Sequence, residues 1–382
     1  MSTERVDVAV VGGGLLGLAV AWRLSARKMT VAVVDAAPGS GASRVAAGML
    51  APVTEVHYGE EPLLALNLVA AGRWPDFAAA LEEAAGMPIG YRRSGTLAVA
   101  FDADDRVVLE ELADYQRSLG LEVEVLGARA CRELEPLLAP GVGGGILVAG
   151  DHSVDNRRVV AALLVACERA GVVLRRVAAR ALVVADDAAR GVALDDGELL
   201  EADVVVLAAG AASGTLAGVP EEARVPVRPV KGQIVRCHVP DTYRPLLTRT
   251  VRGIARGRPV YLVPRDDGEL VIGATAEEKG FDQSVTAGAC YELLRAATGL
   301  VPLVAEVELV EVNAGLRPGT PDNAPILGPT PLPGLLCATG HYRNGVLLTP
   351  VSADALASFV TDGELPEEAR RFTLARFAAA PR

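Results

Sequence analysis

The feature that most constrains this chain is a run of glycines set between two hydrophobic segments near its start. Val6-Asp7-Val8-Ala9-Val10-Val11 reads as a buried parallel strand, β-branched and nearly all apolar. Gly12-Gly13-Gly14-Leu15-Leu16-Gly17 follows and matches GxGxxG. Leu18 to Arg27 reads as an amphipathic helix, and Thr30 to Val34 as a second strand that ends on Asp35. Each glycine has a physical reason. Gly12 permits the tight turn, Gly14 lets the backbone approach a pyrophosphate, and Gly17 lets the helix lie close to the strand. The helix N-terminus then presents unpaired N–H groups and a positive dipole end to the phosphates. An acid about 20 residues further on accepts bonds from ribose hydroxyls and repels the extra phosphate of NADP. The unit is expected to hold a dinucleotide, and the pattern by itself leaves FAD and NAD open.

The same strand and helix themes return later. Asn156 is placed to cap a helix running to about Ala170, Asp203 to Leu207 reads as a buried strand, and a helix is expected from about Val346 to Val360. Residues 86–150 and 226–312 instead alternate apolar and polar positions, as in Thr96 to Ala100 and Glu269 to Gly273. That pattern predicts antiparallel strands covering a site. The expected fold is α/β: a Rossmann-like nucleotide domain from 1–85, 151–225 and 313–382, and a discontinuous, mainly antiparallel β-sheet substrate domain from 86–150 and 226–312.

Four further stretches are specific. They are Gly41-Ala42-Ser43-Arg44-Val45-Ala46-Ala47-Gly48-Met49-Leu50-Ala51-Pro52, Pro229-Val230-Lys231-Gly232-Gln233, Ala314-Gly315-Leu316-Arg317-Pro318-Gly319-Thr320, and Gly340-His341-Tyr342-Arg343-Asn344-Gly345-Val346-Leu347-Leu348-Thr349-Pro350. Together, and in order along nearly the whole chain, they resemble the glycine oxidase group of the D-amino-acid-oxidase-like FAD-dependent oxidoreductases. The resemblance implies FAD as cofactor. It also implies oxidation of a small amino acid or amine by O2, giving an imino acid and hydrogen peroxide. In bacteria the glycine branch supplies dehydroglycine for the thiazole of thiamine. Sarcosine or a D-amino acid is the alternative substrate, and a dehydrogenase the alternative reaction. Relatives of this group are often tetramers, which implies a homo-oligomer.

The resemblance also implies roles for residues. Arg317 is the carboxylate anchor, and its planar fork suits a carboxylate on chemical grounds as well. Tyr261, in Val260-Tyr261-Leu262-Val263-Pro264-Arg265, gives the carboxylate a second contact, and Arg343 lies by flavin and substrate. Gly12, Gly14, Leu15, Leu16, Gly17, Asp35, Ala36, Ala42, Ser43, Ala47, Gly48 and Met49 fall where the family contacts FAD, as do His341, Tyr342, Asn344, Gly345, Val346 and Leu347. Arg180 falls where an apolar residue usually meets the adenine through its main chain. Pro259 and Ala276 stand where some members have a His and a Met lining the pocket. His341 is read as a packed ring rather than a base, and Cys337 as a core cysteine rather than a flavin link. Lys231 is expected to touch flavin or solvent, and Glu60-Glu61 to be a solvated loop face.

Composition narrows the classes that remain. With 51 % hydrophobic and 22 % charged residues over 382 positions, the chain has the make-up of a globular protein rather than a disordered one. Its 48 acidic against 37 basic residues leave a net charge of -11, which disfavours nucleic acid as a partner. The five cysteines are scattered without a CxxC pair, and the four histidines show no metal-binding spacing, so a cytoplasmic protein without a metal site is expected. The apolar stretch from Val6 to Leu24 lacks the basic flank of a signal peptide. No other apolar run reaches the roughly 18 residues needed to span a bilayer, so no membrane association is expected.

Overall fold

The computed structural model describes residues 4–255 and 258–378. Strand Glu4–Val11 is flanked in parallel by Val31–Val34 on one side and by Leu199–Leu207 on the other. Leu335–Thr339 and Val173–Arg175 extend the parallel sheet outward. Ile326–Pro329 adds an antiparallel edge, and the hairpin Ala179–Ala185 with Ala188–Leu194 branches off Leu199–Leu207. The central strands are continuous apolar runs because both faces are covered, and Val8, Ala9 and Val10 are all fully buried. Helices Leu15–Ala26, Glu61–Ala85, Asn156–Arg169 and Thr349–Asp362 pack together on one face. Among the described residues no helix is long and apolar enough to cross a membrane.

The second sheet runs in the spatial order Glu308–Gly319, Arg228–His238, Glu269–Gly273, Arg258–Pro264, Thr250–Ala255, Thr96–Ala100, Gly144–Val148 and Glu124–Gly127. Every neighbouring pair is antiparallel except Thr96–Ala100 with Thr250–Ala255. Strand Glu308–Gly319 belongs to this sheet as one piece, and residue 313 lies within it.

Period-two alternation sorts this sheet into two unlike faces. Val235, Cys237, Leu262, Leu270 and Ile272 pack beneath helix Ala287–Leu300. The opposite face carries Ile234, Tyr261, Val263 and Val271, and these pack against Val45, Ala47 and Met49. The second face also bears the polar side chains of Arg236, Tyr261 and Arg317, and it is the face turned toward the Ala42–Met49 stretch.

Several elements are offset from where the sequence placed them. The first helix begins at Leu15 rather than Leu18, with Gly14 as its N-cap. Helix Asn156–Arg169 is capped by Asp155, whose carboxylate accepts from the N–H groups of Arg157 and Arg158. Asn156 is thereby released for another task. The last long helix starts at Thr349, because Pro350 occupies its first turn.

Candidate functional site

At the glycine turn the reasons for glycine are visible in the geometry. Gly12 has φ +111, and a Cβ there would collide with the carbonyl oxygen of Ala208. A Cβ on Gly17 would collide with the carbonyl oxygen of Gly12. The Asp35 carboxylate reaches back to this turn. Its Oδ2 accepts from the Gly13 N–H at 2.6 Å and its Oδ1 from the Ala37 N–H at 2.8 Å.

The Ala42–Met49 stretch is fixed from every side. Leu15 N–H donates to Ser43 Oγ at 2.9 Å, which ties the stretch to the glycine turn. Asn156 Nδ2 donates to the carbonyls of Ser43 and Arg44 at 2.7 and 3.2 Å. Arg236 donates to the carbonyls of Arg44 and Ala46, and Arg265 to that of Ala47 at 2.5 Å. Gly48 has φ +74, its carbonyl accepts from Val154 N–H at 2.8 Å, and a Cβ would strike the Val154 carbonyl. Burial pushes the Arg265 guanidinium down to about 10, so a strongly desolvated cation is held beneath the loop. Asn156, Arg236 and Arg265 were not legible as site residues. The available signal was an arginine within the apolar run Ile234 to Cys237 and another immediately after the apolar run Val260 to Pro264.

The polar face of the second sheet presents Arg317 and Tyr261. Gly232 forms the bed on which the Arg317 guanidinium lies, since a Cβ there would collide with it; Gly273 does the same for the Tyr261 hydroxyl. Arg317 Nη1 donates to the Thr275 carbonyl at 3.0 Å. Among the described residues no carboxylate pairs with this guanidinium. Burial raises the Tyr261 hydroxyl above its ordinary value, while the nearby Arg317 acts the other way. Gly315, one alternation before Arg317, abuts the Val45 side chain, so the Arg317 strand touches the pinned stretch.

The third component is the turn from His341 to Leu348. Tyr342 N–H donates to the Pro318 carbonyl at 2.9 Å, which stitches the turn to the Arg317 strand. Gly345 lies against His341 and Leu16. Trp74 Nε1 donates to the Leu347 carbonyl at 2.8 Å, and Asn344 and Val346 are buried. His341 is buried, its Nε2 is 2.9 Å from Ser352 Oγ, and burial pushes it down to about 3. Arg343 donates to Glu60 Oε2 at 2.6 Å, and Asn323 holds the other Glu60 oxygen at 2.9 Å.

The glycine turn, the Ala42–Met49 stretch, Tyr261, Arg317 and the His341–Leu348 turn therefore converge by direct contacts. Ala36 and Arg180 are exposed, Arg180 on the outer hairpin strand. Pro259 and Ala276 are also exposed. Glu60 is not a solvated loop face, because it is the partner of Arg343, whereas Glu61 is exposed and bonds Tyr115. Lys231 reaches neither solvent nor the pinned stretch: it is buried and bound to Asp282 at 2.6 Å. Cys337 lies in the core, where burial pushes its thiol up to about 12.

Comparison with known proteins agrees with this arrangement. The family model of FAD dependent oxidoreductases matches residues 7–359. A glycine oxidase of Geobacillus kaustophilus is 35 % identical over 377 residues, covering 98 % of each chain. The crystal structure of glycine oxidase from Geobacillus kaustophilus has a TM-score of 0.90 to this chain at 34 % identity, covering 99 % of this chain and 100 % of that one. A bifunctional protein ThiO/ThiG of Trichormus variabilis is 32 % identical over 97 % of this chain, which spans about half, 55 %, of that protein. The glycine turn with Asp35 and the cradle above it fit the cofactor that this family carries. The chain is a member of the FAD dependent oxidoreductase family, of the D-amino-acid-oxidase type, and is an enzyme with FAD as its cofactor.

Proposed function

We propose that this enzyme oxidatively deaminates glycine and other small amines. Glycine, O2 and water give glyoxylate, ammonia and hydrogen peroxide. The observation that carries this reading is Arg317: a guanidinium without an acidic partner among the described residues, bedded on Gly232, beside Tyr261, on the face that packs against the pinned Ala42–Met49 stretch. A planar fork in that position is suited to the carboxylate of an α-amino acid.

When bound, FAD supplies the two-electron acceptor for the substrate Cα–H bond and returns the electrons to O2. Gly12, Gly14, Leu15, Leu16 and Gly17 would hold its diphosphate, Asp35 and Ala36 its ribose, and the main chain at Arg180 its adenine. Ala42, Ser43, Ala47, Gly48, Met49 and the stretch from His341 to Leu347 would hold the ring. Arg317 and Tyr261 orient the substrate through its carboxylate, and Arg343 closes the same pocket from the side of its turn. His341 does not serve as a base. At about 3 it is too weak to take a Cα proton near neutral pH, and its ring is engaged by Ser352. The substrate amine must then arrive uncharged, so that its own lone pair assists.

Ala276 stands where some members of the family have a methionine, and its smaller side chain leaves room for more than glycine. This favours sarcosine or a small D-amino acid as a second substrate. Similarity to the bifunctional ThiO/ThiG protein supports supply of dehydroglycine for the thiazole of thiamine, and the five unpaired cysteines support a cytoplasmic site. An oxygen-electrode assay across glycine, sarcosine, D-alanine and D-proline tests the reading. Oxygen uptake with stoichiometric peroxide on at least glycine is expected. FAD-loaded protein that consumes no oxygen with any of the four would overturn it.

A further inference from the structure

Three guanidiniums converge on the pocket, and two are already taken by one loop. Glu55 Oε1 accepts from Arg252 Nη1 at 2.7 Å, and Glu60 Oε2 accepts from Arg343 Nη2 at 2.6 Å. Both pairs are largely withdrawn from water: the side chains are 24 % and 13 % exposed in the first and 21 % and 16 % in the second. Arg252 belongs to the pocket wall rather than to a remote surface. It stands directly opposite Tyr261 in register, on the same face of the sheet, which places their Cβ atoms about 5 Å apart. The charged neighbours felt by the Tyr261 hydroxyl are Arg317, Glu55, Arg252 and Arg236. Arg236, further along that face, is matched by Glu269 at 2.7 Å.

The loop is itself anchored. Asp151 is buried and accepts from the N–H groups of Val53 and Thr54 and from the Thr54 hydroxyl. Glu55 thus projects from a fixed base. His57, between the two glutamates, is held below its ordinary value by burial and then by Arg343, which favours its neutral form. What remains is a simple sum. The Glu55–Arg252 and Glu60–Arg343 pairs cancel, and among the described residues named here Arg317 is the guanidinium left without a carboxylate. The pocket is matched to one carboxylate.

We infer that Glu55 restricts the enzyme to amines bearing one carboxylate, and that Arg252, held by Glu55, is a latent anchor for a second. This deepens the proposed function and rests on Arg317 taking the first carboxylate. A dicarboxylic amine such as iminodiacetate or D-aspartate would have to displace Glu55 from Arg252 and then face the released carboxylate, a like-charge contact that disfavours it. Glu55→Gln keeps the shape, removes the charge and frees Arg252.

The test uses FAD-loaded protein and the ratio of kcat/KM for iminodiacetate to that for glycine. The ratio should rise at least tenfold in Glu55→Gln and fall back in Glu55→Gln/Arg252→Met. An unchanged ratio in the single variant, or a rise that survives in the double, would overturn the inference. If the glutamine variant fails to retain FAD, the smaller neutral Glu55→Ser should shift the ratio in the same direction. A second readout does not depend on turnover. Calorimetric Kd values for malonate and acetate should show the same tenfold shift toward the dianion. A binding shift without oxidation of any amine would sink the functional proposal and leave this inference standing. Glycine turnover with neither ratio moved would sink this inference alone.

Discussion

The two ends of the site are built by opposite means. The nucleotide end is made of backbone. Glycines remove side chains, a helix start offers N–H groups, and one acid, Asp35, ties back to the Gly13 amide. All of it lies within one short stretch of sequence. The substrate end is made of side chains on a rigid sheet: Arg252 and Tyr261 from one hairpin and Arg317 from the later strand Glu308–Gly319, with Gly232 and Gly273 as the surface on which two of them rest. Between them the Ala42–Met49 stretch is held by Ser43 from one end and by Arg236 and Arg265 from the other. The contrast teaches that cofactor retention and substrate selection are separable here, and substitutions should divide accordingly.

The largest effect on cofactor retention is expected at the nucleotide end. Gly17→Val drives a side chain into the Gly12 carbonyl, a backbone group that has no flexible end to yield. Overpacking of this kind costs about 1–3 kcal/mol or more. The protein should purify colourless and unfold at a lower temperature. A yellow, normally stable variant would contradict the packing account.

Asp35→Ala should come next. Hydrogen bonds to a charged group are worth about 1.5–3 kcal/mol, so FAD should bind on the order of tenfold to a hundredfold more weakly while the fold is kept. Fluorescence titration of released flavin measures this, and unchanged affinity would remove Asp35 from the ribose site. Arg265→Met probes the middle. It leaves the Ala47 carbonyl unpaired, at a cost of about 1–3 kcal/mol, and should speed FAD release. If release is unaltered and only substrate kinetics move, the stretch belongs to the substrate end instead.

His341→Gln should have the smallest kinetic effect, far from the roughly 10²–10⁴-fold loss that follows removal of a general base. Its visible consequence is on stability. In the folded chain the ring titrates at about 3 against an ordinary 6.5, so on acidification the unfolded chain takes that proton first. Stability attributable to this ring is therefore present above pH 6.5 and lost as the pH falls from there toward 3. Urea midpoints across that range should fall less steeply in the variant than in the parent. Equal slopes would mean that the ring is not held neutral.

The same contrast explains what could be read from the sequence. The glycine turn and Asp35 were legible because their logic is local: strand, turn, helix and acid follow one another with fixed spacing. Arg317 could be singled out by family resemblance; its flanks Gly315, Pro318 and Gly319 suggest a turn, yet it lies inside the strand Glu308–Gly319, where pairing with Arg228–His238 decides. Helix starts moved by a few residues at Leu15 and Thr349, where capping and a proline outweigh the hydrophobic period. Glu60, Lys231 and Arg265 were missed or misplaced for a different reason. Each is a charged residue whose partner, Arg343, Asp282 or the Ala47 carbonyl, lies on another element, and nothing local announces such a pairing. Arg252 and Glu55 became visible only once strand register put Arg252 across from Tyr261.

The most direct test is to measure FAD affinity and glycine kcat/KM on the same preparation of Arg317→Ala. FAD affinity should stay at the parental value. Efficiency should fall by on the order of a hundredfold to a thousandfold, as expected when one partner of a desolvated charge pair of about 3–5 kcal/mol is removed. Arg317→Lys should recover only part of that loss, because an ammonium lacks the guanidinium fork. Near-parental efficiency in the alanine variant, or a loss of efficiency that tracks a loss of FAD, would contradict the separation of the two ends and move the carboxylate anchor elsewhere.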